Sequence, residues 1–151
     1  EMKKEKFNEI IDFAVQAEKD AVEFYSDLQT KTKFTAIKDM LKEFENFERG
    51  HIVQLETIRK EGLENLVEKE IHDLTLSDYL VEGEPSDDMD FEDIILIAMK
   101  REEAAKKLYE HFAAKMEGTE VEKLLLRLAA DESEHKLKFE KIYDDKVLRD
   151  N

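Results

Sequence analysis

The feature that most narrows the folds open to this 151-residue chain is a helical apolar repeat and the way it is interrupted. Phe7, Ile11, Ala14, Glu18, Ala21, Tyr25 and Leu28 are spaced by alternating fours and threes. The same seam returns as Phe91, Ile95, Ala98, Glu102, Ala105, Tyr109 and Phe112. Two further seams read Ile37, Leu41, Phe44, Glu48, His51, Leu55, Ile58 and Val121, Leu125, Leu128, Glu132, His135, Phe139, Ile142. Residues so spaced share one face of an α-helix and form its packing stripe. The spacing predicts four long helices, at about 4–31, 35–61, 88–116 and 119–145.

The second half of the chain repeats the first. Residue i matches residue i+84 at Ile11/Ile95, Glu18/Glu102, Tyr25/Tyr109, Leu41/Leu125, Glu48/Glu132 and His51/His135, without a gap. The connections within each half are short, so each half should be an antiparallel helical hairpin. Gly62 and Gly118 stand where residues past the ends of the second and third helices should stop them. Thr119-Glu120-Val121-Glu122 has the form of a capping box. Residues 62–87, with Gly83 and Pro85, form a crossover that has room for a short helix near 77–81. The expected fold is all-α, a ferritin-like antiparallel four-helix bundle with one long crossover. It is read as a single domain over 1–151, with hairpins at 4–61 and 88–145.

Composition agrees and excludes. Only 4 glycines and 1 proline occur, too few for the turns of a strand-rich fold. The formal charge of -15 repels phosphate backbones and anionic membranes, so neither nucleic acid nor a membrane is an expected partner. With no cysteine, the chain can form no disulfide, thiolate metal site, iron–sulfur cluster or rubredoxin-type iron site. The N-terminal Glu1-Met2-Lys3-Lys4 has no apolar core of a signal peptide, and no apolar run matches a membrane span. A cytoplasmic location is the expectation.

The chemistry lies where the seams break. Glu18 and Glu102 occupy mid-seam positions that should carry leucine, each with alanine one turn away on both sides. The other two seams are each interrupted by Glu-x-x-His: Glu48 with His51, and Glu132 with His135. An i, i+3 pair projects from one helical face, so both side chains can reach one centre. Four ionised carboxylates in an apolar core are strongly unfavourable without compensation. Two divalent cations supply it, and carboxylate oxygen with imidazole nitrogen suits iron, manganese or zinc. One glutamate from each of two helices, with Glu-x-x-His from each of the others, is the ligand set of carboxylate di-iron bundles. Tyr25 and Tyr109, seven residues after Glu18 and Glu102, point the same way and can hydrogen-bond ligand carboxylates.

These residues resemble the ferritin-like superfamily, and within it the di-iron domain of rubrerythrins. Glu102, Asp131, Glu132 and His135 match that family's Glu-x28-Asp-Glu-x-x-His motif, and Glu18, Glu48 and His51 match its first half. The resemblance implies that Glu48 and Glu132 bridge two iron ions. It makes Glu18 and His51 terminal on one ion, and Glu102 and His135 on the other. It also implies that Asp131 orients His51; the equivalent position in the first half is Phe47, so the two metal environments should differ. Rubrerythrins carry a further glutamate on the third helix. Here the positions three before and three after Glu102 are Met99 and Ala105, and Glu103 lies about 100° round the helix.

The expected function is a di-iron carboxylate oxidoreductase that reduces hydrogen peroxide or O2, with ferroxidase activity close behind. Electrons would come from an external electron-transfer protein, and a homodimer is expected. Iron storage of the ferritin type and a metal-free helical interaction module are the alternatives. His111, half a turn round from Glu102, reads as a surface residue, and His72 falls in the crossover without a helical glutamate partner. Neither is assigned to the site.

Overall fold

The computed structural model describes residues 2–64, 74–86 and 88–150. They form four long helices: α1 (Met2–Gln29), α2 (Thr35–Glu64), α3 (Phe91–Lys115) and α4 (Glu120–Asp150). A short 3₁₀ turn, Leu76–Tyr79, lies in the crossover, close to the expected short helix. No strand occurs among the described residues. The architecture is all-α, in the hairpin–crossover–hairpin order of a ferritin-like four-helix bundle. The chain divides into two compact units, Glu1–His72 and Asp73–Asn151, each holding one hairpin. Among the described residues no helix is long and apolar enough to cross a membrane. His72 lies outside the described residues, as does part of the crossover.

In the first unit α1 and α2 run antiparallel. Arg59, near the end of α2, donates to Asn8 at 3.1 Å and to Asp12 at 2.7 Å, near the start of α1. At the other end, Gln29 Nε2 donates to Glu45 Oε1 at 2.9 Å. The turn between them is held by Thr32, whose hydroxyl accepts the Phe34 N–H at 3.3 Å just before α2 begins. The expected seam is the buried face: Phe7, Ile11, Ala14, Tyr25 and Leu28 on α1, and Leu41, Phe44, Leu55 and Ile58 on α2. Tyr25 meets Phe44 edge-on, with ring centroids 6.0 Å apart.

The second unit repeats this plan. Ile95, Ala98, Tyr109 and Phe112 of α3 are buried, as are Val121, Leu125, Leu128 and Phe139 of α4. Gly118 takes a φ of 84°, a left-handed conformation that lets the chain leave α3 and turn at once into α4. Thr119 begins α4 as expected: its hydroxyl accepts the Glu122 N–H at 3.3 Å and donates to the Met116 carbonyl at 2.6 Å. The reciprocal half of the box is displaced by one residue, because Glu122 Oε1 accepts from the Gly118 N–H rather than from Thr119.

Two expectations need correction. Helix α3 begins at Phe91, not near 88, with Asp90 extended at the N-cap. Gly62 does not stop α2; the helix runs through it to Glu64. The glycine serves packing instead. Gly62 is buried against the Phe7 ring, and an added Cβ would overlap Phe7 Cζ and come within 2.9 Å of Cε2. A helix-compatible residue with no side chain is what lets the start of α1 approach the end of α2 there.

Candidate metal centre

Each hairpin carries the same three-residue cluster, built by the same local rule. The α-helical repeat turns a mid-seam residue inward whatever its chemistry, provided the apolar residues around it pack. Glu18, Glu48 and His51 are each 1% exposed, and Glu132, Glu102 and His135 are 1%, 2% and 3% exposed. All six residues expected as ligands are therefore buried, at the depth of the surrounding leucines and phenylalanines.

In the first unit, His51 Nδ1 lies 2.9 Å from Glu18 Oε2 across the α1–α2 interface and 3.6 Å from Glu48 Oε1 on its own helix. In the second, His135 Nδ1 lies 3.7 Å from Glu102 Oε2. Donor atoms of Glu18, Glu48 and His51 all fall within 4.8 Å of one another, and so do those of Glu102, Glu132 and His135. Two donors about 2.1 Å from one ion stand at most about 4.2 Å apart. A shift of a few tenths of an ångström per donor would bring each set onto a cation. The donors are hard carboxylate oxygens and borderline imidazole nitrogens with no thiolate, so they fit iron, manganese or zinc and not a thiophilic metal. Ala14 and Ala98, one turn before Glu18 and Glu102, are buried and leave the carboxylates uncrowded.

A third buried carboxylate in the first unit has a different role. Glu45, one turn before Glu48, accepts from Gln29 and from both Nε and Nη2 of Arg49, at 2.9, 3.1 and 2.9 Å. The Gln29 amide and then the Arg49 guanidinium hold its carboxyl below the usual range, against the opposing effect of burial. Sequence reasoning passed over this residue. The Glu45-x-x-x-Arg49 spacing was the available signal for the pair on α2, whereas Gln29 is 16 residues away on the other helix.

The remaining residues fall out as follows. Tyr25 and Tyr109 are both 1% exposed, in the seams that hold Glu18 and Glu102. Asp131 is half-buried next to Glu132, whereas its counterpart Phe47 is 41% exposed. Glu103 turns to α4, where its carboxylate meets Lys136 Nζ at 3.0 Å and is held below the usual range by that ammonium. Met99 and Ala105 are half-buried. His111 is on the surface as expected, yet it is not idle: its Nδ1 shares a 2.6 Å hydrogen bond with Tyr79 Oη of the 3₁₀ turn. That pairing, 32 residues apart across a crossover, had no local sequence signal.

Comparison with known proteins agrees with this geometry. Residues 93–151, which include Glu102, Asp131, Glu132 and His135, match the family model described as Rubrerythrin. No curated protein shows significant similarity to the chain. Among solved structures, a hypothetical protein from Pyrococcus furiosus is similar at a TM-score of 0.68 and 23% identity, covering 91% of this chain and 88% of that one. At that identity the likeness speaks for the fold. The chain is thus similar to rubrerythrins over residues 93–151, and each of its two helical hairpins buries a glutamate–histidine cluster able to hold a metal ion.

Proposed function

We propose that the two clusters act together as one di-iron carboxylate centre, and that the protein is an oxidoreductase reducing hydrogen peroxide or O2. One observation carries the reading: the same buried Glu plus Glu-x-x-His cluster occurs in both hairpins at a constant offset of 84 residues. A pair of ferrous ions bound there would supply the two electrons that turn hydrogen peroxide, with two protons, into two waters.

The chain's own contribution is to hold and shield that pair. Glu48 and Glu132 are proposed as the carboxylates shared between the ions. Glu18 with His51, and Glu102 with His135, would each serve one ion. Four carboxylates favour the higher charge of ferric iron, so the donor set supports loss of an electron. Ala14 and Ala98, buried one turn before Glu18 and Glu102, are proposed to leave space for a small oxidant. The Tyr25 and Tyr109 hydroxyls are proposed to steady the carboxylates by hydrogen bonding, and Asp131 to orient His51. Glu103, engaged by Lys136, is not proposed as an additional ligand.

The test is anaerobic loading with ferrous iron followed by a single exposure to each oxidant. Absorption of carboxylate-bound ferric iron should develop within one turnover with at least one of them. A loaded protein that stays spectroscopically unchanged with both, while free ferrous iron in the same buffer oxidises, would remove the oxidoreductase reading. Repeated turnover should require an added electron-transfer protein.

A further inference from the structure

Helix α4 carries a second stripe, on the side away from its buried seam. Leu126, Ala130, Ser133 and Leu137 follow one another at spacings of four, three and four, the step of a helix-packing seam. Ala130 stands two residues from both Leu128 and Glu132 of the buried seam, so it lies about 200° round the helix from each. Leu126 is 47% exposed and Leu137 62% exposed, while Ala130 is exposed and Ser133 half-buried. The internal repeat does not account for this stripe. The residues 84 positions earlier are Lys42, Asn46, Arg49 and Val53, so the first hairpin is polar or charged at three of the four. An apolar seam that faces solvent in one hairpin only is a surface suited to a further helix.

We propose that this face of α4 packs antiparallel against the same face of a second copy of the chain, about a twofold axis that crosses the helix between Ala130 and Ser133. A twofold axis makes every contact twice, with the roles of the copies exchanged. In this register Leu126 meets the partner's Leu137, and Ala130 meets the partner's Ser133. The small middle pair lets the helices approach closely, and the leucines close the seam on either side. Charges along the edges and ends fix the direction. Antiparallel, Arg127 faces the partner's Glu134, Glu120 faces the partner's Lys141, and Lys123 faces the partner's Glu140. Run parallel, the helices would set Lys123 against the partner's Lys123, and Glu140 against the partner's Glu140. These side chains already have neighbours along α4. Lys123 lies 3.4 Å from Glu120, Glu140 lies 3.4 Å from Lys136, and Glu134 lies 3.4 Å from Lys138. Exposed pairs of this kind hold each other loosely, and a facing charge of the right sign adds to them. Each copy has a formal charge of -15, so two copies repel at a distance and complementarity has to reside where they touch.

The test reads the oligomeric state of the full chain by sedimentation over a range of concentrations. The parent should show a reversible monomer–dimer equilibrium. Leu137→Gln should raise the dimer dissociation constant by about tenfold or more. Arg127→Glu and Glu134→Arg should each raise it about tenfold, because each reversal sets like charges together at two symmetric places. The double variant Arg127→Glu/Glu134→Arg should regain the parent's constant, since the pair is only exchanged. So should an equimolar mixture of the two single variants, in which each copy supplies the sign that the other lacks. Such restoration separates contact between copies from damage to the fold. A parent that stays monomeric up to about 0.5 mM would overturn the proposal. So would a dimer whose constant is the same in all three single variants, or single variants that the exchange and the mixture both fail to restore.

Discussion

At the scale of single residues, the protein holds two kinds of buried carboxylate. Glu45 is satisfied by Gln29 and Arg49, and its lowered pKa has a consequence for stability. A carboxyl whose folded value lies below its unfolded value, about 4.3 for glutamate, stabilises the fold fully above that value. The contribution is lost as pH falls through the lowered folded value. Glu45→Gln should therefore lower the melting temperature near neutral pH, by a stability of about 1–3 kcal/mol. The gap between variant and parent should close as pH falls well below about 4. A constant gap across that range would show that the charge on Glu45 contributes nothing. The glutamates of the metal centre should behave differently, since their worth lies in the ion. Glu48→Ala or Glu132→Ala should lower occupancy at both metal positions, whereas His51→Ala or His135→Ala should mainly weaken one, as metal analysis after dialysis would read. Full retention of two metals per chain in Glu132→Ala would refute the shared-ligand assignment.

At the scale of helices and turns, the chain obeys its seam rule closely, because the rule is local and repeated. Ile11, Glu18, Tyr25, Leu41, Glu48 and His51 could all be placed inward from spacing alone, and so could their partners 84 residues on. Gly62 could not be read the same way. A glycine ends a helix or admits a close neighbour, and only the position of Phe7, 55 residues earlier, decides which. The Tyr79–His111 bond was illegible for the same reason, since it depends on where the crossover lies. The glycine assignment makes a sharp prediction. On an exposed helix Gly62→Ala would stabilise by about 1 kcal/mol. Here it should destabilise by about 1–3 kcal/mol, because the added methyl meets the Phe7 ring. Denaturant unfolding would measure it, and the cost should shrink when Phe7→Leu is combined with it. At the start of α4, Thr119→Ala removes the acceptor for the Glu122 N–H and should cost about 1 kcal/mol. A variant as stable as the parent would mean that Glu122 alone secures that helix start.

At the scale of the whole molecule, two hairpins of like sequence each bury carboxylates, and metal binding is the natural counterweight. Loading should raise the melting temperature in proportion to the logarithm of free metal concentration once sites fill. Melting curves identical with and without metal would argue against that linkage. The hairpins are nevertheless not interchangeable, because Asp131 stands beside Glu132 where Phe47 stands beside Glu48. Asp131 is half-buried where its counterpart Phe47 is 41% exposed, so the affinities of the two clusters for a cation should be unequal. Titration with a single divalent metal should then show two steps. A chain that loads in order can be given a different metal at each step. It could be prepared with zinc on the tighter side and iron on the other, a heterobimetallic form in which only one position can change oxidation state.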